Sequence, residues 1–106
     1  MNSKQFMEKV IDIVENEFKL TLNEEQKNVF KELVESYEIL GGIAGTPVAN
    51  LVEGEKEGFN LEKILKVRNQ KDEEILLIYI EGNYGVFLNL TNPHKSQIGN
   101  LPIIKK

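Results

Sequence analysis

The feature that most constrains the fold is an unbroken run of six apolar residues, Ile75 to Ile80. Alternate side chains of a strand point to opposite faces of its sheet, so this run predicts a strand with three apolar residues on each face. One face carries Ile75, Leu77 and Tyr79, and the other carries Leu76, Ile78 and Ile80. A strand that is apolar on both faces must be covered on both sides.

Two amphipathic helices in the first 41 residues can cover one of these faces. Apolar residues recur at helical spacing in both segments. They are Met7, Val10, Ile11, Val14 and Phe18 in the first helix, and Phe30, Leu33, Val34 and Tyr37 in the second. Ser3 is the predicted cap of the first helix, and Asn23 with Gln26 forms a capping-box pattern before the second. Gly41-Gly42 is the predicted end of this helical hairpin.

The C-terminal half predicts an antiparallel meander. Candidate strands at 61–69, 74–80 and 84–90 are separated by polar turns, and a further edge strand is predicted at 101–104. Residues 42–60 form a connector in which 46–53 reads as a short helix or as a short edge strand.

These elements predict one α+β domain over residues 1–106. Two antiparallel helices (1–41) pack on a three- to four-stranded antiparallel sheet (61–106). Residues 43–52, the tail around Ile103 and Ile104, or another chain must then cover the second sheet face. If that face were left open, it would be an interaction surface.

The amino-acid composition and charge narrow the range of possible functions. The 106 residues carry a net charge of −4, no cysteine, and one arginine, Arg68, among 13 basic residues. A chain with so little arginine and no clustered basic face is not expected to bind nucleic acid. The absence of cysteine, of a signal-like N-terminus and of a long apolar segment predicts a cytoplasmic protein that does not enter a membrane. The abundance of lysine, asparagine and isoleucine suggests an AT-rich bacterial or phage genome.

None of the candidate motifs predicts catalysis or a cofactor. The glycine stretch from Gly41 to Thr46 lacks the lysine of a phosphate-binding loop and is read as a helix cap. His94 is the single histidine and has no cysteine to share a zinc site or act as nucleophile. Glu53, Glu55 and Glu57 do not match a calcium loop. We therefore predict no catalytic residue, no bound metal and no cofactor.

The function predicted from these properties is non-enzymatic binding of another protein, as in an inhibitor, an immunity protein or a phage antagonist of its host. Tyr84 and Phe87 are expected in the core, where most aromatic residues lie. If they are exposed, they and Asn83 are the predicted contact residues, because exposed aromatic residues are the usual hot spots of an interface. The partner is a different protein or a second copy of the chain. The alternative is a small-ligand module with a pocket near Tyr37, Tyr79 or Tyr84, between helices and sheet or at a dimer interface.

Overall fold

The computed structural model describes residues 2–39 and 60–102. The two helices are α1 (Ser3–Glu17) and α2 (Glu24–Ile39), and the four strands are β1 (Lys63–Arg68), β2 (Glu74–Glu81), β3 (Tyr84–Asn89) and β4 (Gln97–Asn100). A short 3-10 helix, Pro93–Lys95, lies between β3 and β4. This is the predicted α+β arrangement, with the helices first and the sheet in the C-terminal half. The connector segment 46–53 lies outside the described residues.

Both helices begin with the same capping box. The side chain of Asn2 accepts a hydrogen bond from the backbone of Gln5, whose side chain accepts one in return from the backbone of Asn2. Asn23 and Gln26 repeat this exchange at 2.8 Å in each direction, as predicted. The prediction of Ser3 as the cap of α1 was wrong by one residue, because the Asn-x-x-Gln spacing places the cap at Asn2.

The four strands form an antiparallel meander in the order β1-β2-β3-β4. Of the edge strand predicted at 101–104, residues 101 and 102 are not in a strand, and 103 and 104 lie outside the described residues. The fourth strand is Gln97–Asn100. Its register pairs Tyr84 with Asn100 and Phe87 with Gln97. A strand this short, with Gly99 inside it, carries little apolar alternation, so its position depends on pairing with β3 rather than on a local pattern.

Strand β2 is buried on both faces. Its helix-facing residues join a core with the helices and β3, formed by Phe6, Val10, Val14, Phe30, Val34, Leu76, Ile78, Ile80, Val86 and Leu88, among others. On the outer side of the sheet, Ile75, Leu77 and Tyr79 are only 1–3% exposed within the single chain. Leu101 packs with these three, and the hydroxyl of Tyr79 donates a hydrogen bond to the carbonyl of Pro102 at 2.6 Å. The chain therefore contributes to covering its own second face.

Gln26 joins the helical layer to the sheet. Besides its capping contact, its side-chain amide donates a hydrogen bond to the carbonyl of Leu90 at 2.9 Å. Leu90 is itself only 8% exposed, so its carbonyl would be poorly solvated if it lost this donor. Gln5 occupies the same capping position in α1 but is exposed, and within the described residues its side chain pairs with Asn2.

Gln26→Ala should therefore cost more stability than Gln5→Ala. We expect a loss of about 0.5–1 kcal/mol for Gln5→Ala, from the cap alone, and about 2–3 kcal/mol for Gln26→Ala, from cap and buried hydrogen bond together. Urea denaturation followed by circular dichroism measures both values. Equal losses would mean that the contact with Leu90 contributes nothing.

Gly85 is required mainly because the backbone of β2 approaches it closely. A side chain at this position would overlap the carbonyl of Ile78 and lie 2.9 Å from the Leu101 side chain. Its cross-strand neighbour Gly99 has nothing within 4 Å of the same position.

Gly85→Ala should destabilise the domain by about 2–4 kcal/mol, because the methyl group must displace backbone. Gly99→Ala is the matched control and should change the free energy of unfolding by less than about 0.5 kcal/mol. Thermal unfolding of the two variants distinguishes them, and similar melting temperatures would contradict the close approach at Gly85.

Candidate functional site

The β1–β2 turn is organised by Asn69. Its side-chain oxygen accepts hydrogen bonds from the backbone N–H groups of Lys71 (2.9 Å) and Glu73 (3.0 Å). The backbone of Asp72 lies in the left-handed region, with φ 63°. Aspartate tolerates this region, and asparagine at position 69 suits the turn because its short side chain can accept from the turn's free N–H groups. The backbone of the turn therefore has a defined shape.

The segment after β3 is organised in the same way by Asn89. Its side-chain oxygen accepts from the backbone N–H groups of Thr91 (3.0 Å) and Asn92 (2.8 Å). Its own backbone N–H donates to the hydroxyl of Ser96 at 2.8 Å, across the 3-10 helix. Asn89 is 1% exposed, so these bonds are shielded from water.

The carboxylate of Glu73 joins the two segments. One oxygen accepts from the side-chain amides of Asn69 (2.7 Å) and Asn89 (3.4 Å), and the other accepts from that of Asn92. The ammonium group of Lys95 lies 3.7 Å from this second oxygen. We refer to Asn69, Glu73, Asn89 and Asn92 as the amide–carboxylate cluster. It ties residues that are far apart in sequence to one end of the sheet.

The cluster favours the ionised form of Glu73, which is 7% exposed. Hydrogen bonds from Asn69 and then Asn92 are the main causes, with smaller contributions from Asn89 and the charge of Lys95, and partial burial acts in the opposite direction. Together they lower the pKa of Glu73 from 4.5 to about 2. Donors that bind only the charged carboxylate stabilise it in this way.

A shallow, open cleft of about 450 Å³ lies beside the cluster. We call it the Phe87 cleft, and its lining residues are Asn69, Gln70, Lys71, Glu73, Phe87, Asn89 and Lys95. Phe87 is half-buried and packs against the outer side of the sheet, opposite Leu77 and Gln97. An aromatic side chain surrounded by ordered polar groups is an arrangement that can bind another molecule.

The structure separates the three residues predicted to contact a partner. Asn83 is exposed in the β2–β3 turn, and its carbonyl accepts a hydrogen bond from the backbone of Leu101. Tyr84 lies on the helix-facing side, with its ring 5.7 Å from that of Tyr37. Phe87 lies on the outer side, towards the opposite end of β3. Of the three, only Phe87 lines the cleft.

The other residues considered from the sequence do not gather into a site. His94 is exposed in the 3-10 helix. Tyr79 lies on the opposite side of the sheet from Tyr37 and Tyr84, so the three tyrosines do not line one pocket. Within residues 2–39 and 60–102, no three histidine or acidic side chains come together as metal ligands.

A second cleft, of about 310 Å³, lies between the end of α1 and the start of β1. Its lining residues are Ile13, Glu17, Phe18, Leu61, Glu62, Lys63 and Ile64. It also contains a half-buried aromatic residue, Phe18, but it has no counterpart to the amide–carboxylate cluster among these residues. Phe18 therefore provides a matched comparison for Phe87.

Sequence reasoning missed the amide–carboxylate cluster. Asn69 ends the predicted strand 61–69 and Glu73 directly precedes the one at 74–80, but no sequence pattern marks either residue as part of a site. The sequence does show asparagine near the ends of two predicted strands, at position 69 and at positions 89 and 92. That signal identifies turns, but it does not reveal that two turns meet.

Comparisons with known proteins identify no relative from which a function could be inferred. No family model, no curated protein and no solved structure matches the chain. Neither of the two described helices combines the length and apolar character needed to cross a bilayer.

Replacing Glu73 by glutamine should lower stability at neutral pH and flatten its acid dependence. The folded-state pKa lies below the unfolded value, so the contribution of the ionised group is present above about pH 4.5 and is lost as the pH falls towards about 2. Glu73→Gln removes the charge and puts an amide donor against other donors. We expect its melting temperature to fall by several degrees at pH 7 and to converge with that of the wild type in acid.

Glu81→Gln is the control, because Glu81 is exposed at the end of β2. Melting temperatures across this pH range measure the effect. Parallel curves for the wild type and Glu73→Gln would show that the cluster does not stabilise the ionised carboxylate.

Proposed function

We propose that this domain is a non-enzymatic binding protein that contacts a partner protein through the Phe87 cleft. The observation that carries the proposal is a half-buried aromatic side chain in an open cleft, between two turns that a shared carboxylate holds together. Aromatic residues in such positions are the ones that most often contribute large binding energies in protein interfaces.

The ordered rim supports this proposal. The side chains of Asn69 and Asn89 are already fixed by hydrogen bonds within the chain. A partner that binds beside them does not have to immobilise these groups, which reduces the entropic cost of association. The cleft is also shallow and open, a shape that suits a protein surface better than an enclosed small molecule.

The available chemistry supports binding over catalysis. Among the described residues, Glu73 is the one acid that lines the cleft, and its hydrogen bonds keep its carboxylate ionised and already paired. A general acid or base needs a pKa near the working pH and a free position beside the substrate. Glu73 has neither property, so its role in the proposed function is to support the rim.

The test compares proteins captured by three immobilised baits: the wild type, Phe87→Ala and Phe18→Ala. Both substitutions remove a half-buried phenyl ring that lines a cleft. Each bait is incubated with the same lysate of the source organism, and captured proteins are quantified by mass spectrometry. A true partner should be captured by the wild type and by Phe18→Ala but lost with Phe87→Ala.

The captured partner is then purified and titrated against each variant by calorimetry. We expect Phe87→Ala to weaken binding at least about tenfold, as removal of a central aromatic contact does. Phe18→Ala should stay within about threefold of the wild type. Equal binding by both variants, or capture of no protein by the wild type, would contradict the proposal.

A further inference from the structure

The charges of the Phe87 cleft indicate which kind of partner segment it fits. Its charged lining residues are Lys71, Lys95 and Glu73. Both oxygens of Glu73 accept hydrogen bonds from asparagine side chains, and this residue is 7% exposed. Lys71 is exposed on the β1–β2 turn, and the Lys95 side chain is 46% exposed on the 3-10 helix. A partner therefore meets two accessible ammonium groups and a shielded carboxylate.

Lys95 can bind a ligand without leaving Glu73 uncompensated. The hydrogen bonds from Asn69 and Asn92 contribute most to keeping Glu73 ionised, and Lys95 contributes least. The 3.7 Å separation between Lys95 and Glu73 is longer than a hydrogen bond. The ammonium group can therefore turn towards an incoming anion while the three amides continue to hold the carboxylate.

Phe87 supplies the second half of the recognition. Its phenyl ring lines the same cleft as the two lysines and is continuous with the apolar outer side of the sheet around Leu77. A ligand that contacts both the lysines and Phe87 favourably must combine an anionic group with an apolar group. A short acidic stretch of a protein that contains an aromatic or aliphatic residue has this combination.

We propose that the Phe87 cleft binds an acidic protein segment, with a partner carboxylate at Lys71 and Lys95 and a neighbouring apolar side chain against Phe87. This inference rests on the proposed function and specifies the chemistry of the partner. The cleft lies on the outer side of the sheet, whereas the helices cover the other side and belong to the first 40 residues, which hold nine acids and five bases. An anionic partner that docks here avoids the repulsion that the helices would exert.

The test uses three blocked peptides of equal length as probes. They are acetyl-Gly-Leu-Phe-Glu-Glu-Gly-amide, the same peptide with both Glu replaced by Gln, and acetyl-Gly-Gly-Gly-Glu-Glu-Gly-amide. Each is titrated into the isotopically labelled protein and followed by changes in backbone amide NMR signals. We expect the first peptide to shift signals of residues 69–73, 87–89 and 95, with a dissociation constant of about 1 mM or below. The other two should bind at least about fivefold more weakly.

Variants of the protein test the same contacts from the other side. Lys71→Gln and Lys95→Gln together should weaken the first peptide at least about fivefold and remove most of its salt dependence. Lys31→Gln, on the exposed surface of α2, is the control and should leave the affinity unchanged. Equal binding of the Glu and Gln peptides, or shifts confined to other residues, would overturn the inference.

An oligonucleotide separates protein recognition from general attraction of polyanions. An oligothymidine of about eight nucleotides has more charge than any of the peptides but no apolar side chain beside a carboxylate. If it bound the cleft more tightly than the first peptide, the inference would be wrong. If the purified partner depended on Phe87 but not on Lys71 and Lys95, the proposed function would stand and only this inference would fail.

Discussion

The structure depends on the requirement that strand β2 be covered on both faces. Six consecutive apolar side chains leave no face that water can solvate without cost, and burial of each such side chain contributes about 1.5–3 kcal/mol. The two helices supply one cover through residues such as Phe6 and Phe30. On the other face, Leu101 and the contact between Tyr79 and Pro102 bring the end of the described chain back across the sheet. Gly85 leaves room on this side for the Leu101 side chain, although the backbone of Ile78 is the nearer obstacle to a side chain there.

A second constraint appears where the apolar strand begins. Glu73 directly precedes β2 and lies at the edge of the core. A buried carboxylate is unfavourable unless hydrogen bonds or an opposite charge stabilise it. The chain supplies this stabilisation mainly with neutral asparagine amides, and Lys95 adds a smaller contribution. Three amides from two different turns must converge to do so. The stabilisation of one charge thus holds the β1–β2 turn against the segment that follows β3.

The candidate site is a consequence of these two constraints. The outer side of the sheet provides an apolar floor in Phe87, and the amide–carboxylate cluster provides an ordered polar rim. Strand alternation explains why Phe87 and Tyr84 do not act together, since residues three apart on a strand point to opposite faces. Tyr84 packs in the helix-facing core beside Tyr37, and Phe87 lies on the outer side, where it lines the cleft. The two lysines of the cleft distinguish its charge from that of the acidic helices, which cover the other side of the sheet.

The sequence by itself determined the features that depend on neighbouring residues. Helical spacing located α1 and α2, the Asn23–Gln26 pair located the start of α2, and the apolar run located β2 with both faces covered. Such patterns are legible because each is built from contacts a few residues apart. Only the tertiary structure decided that Gln97–Asn100 would form the fourth strand, since pairing with β3 outweighed its weak local pattern. It also brought Asn69, Glu73, Asn89 and Asn92 to one point. No local pattern specifies that meeting, because it depends on the register of three paired strands and on the cost of burying a charge alone.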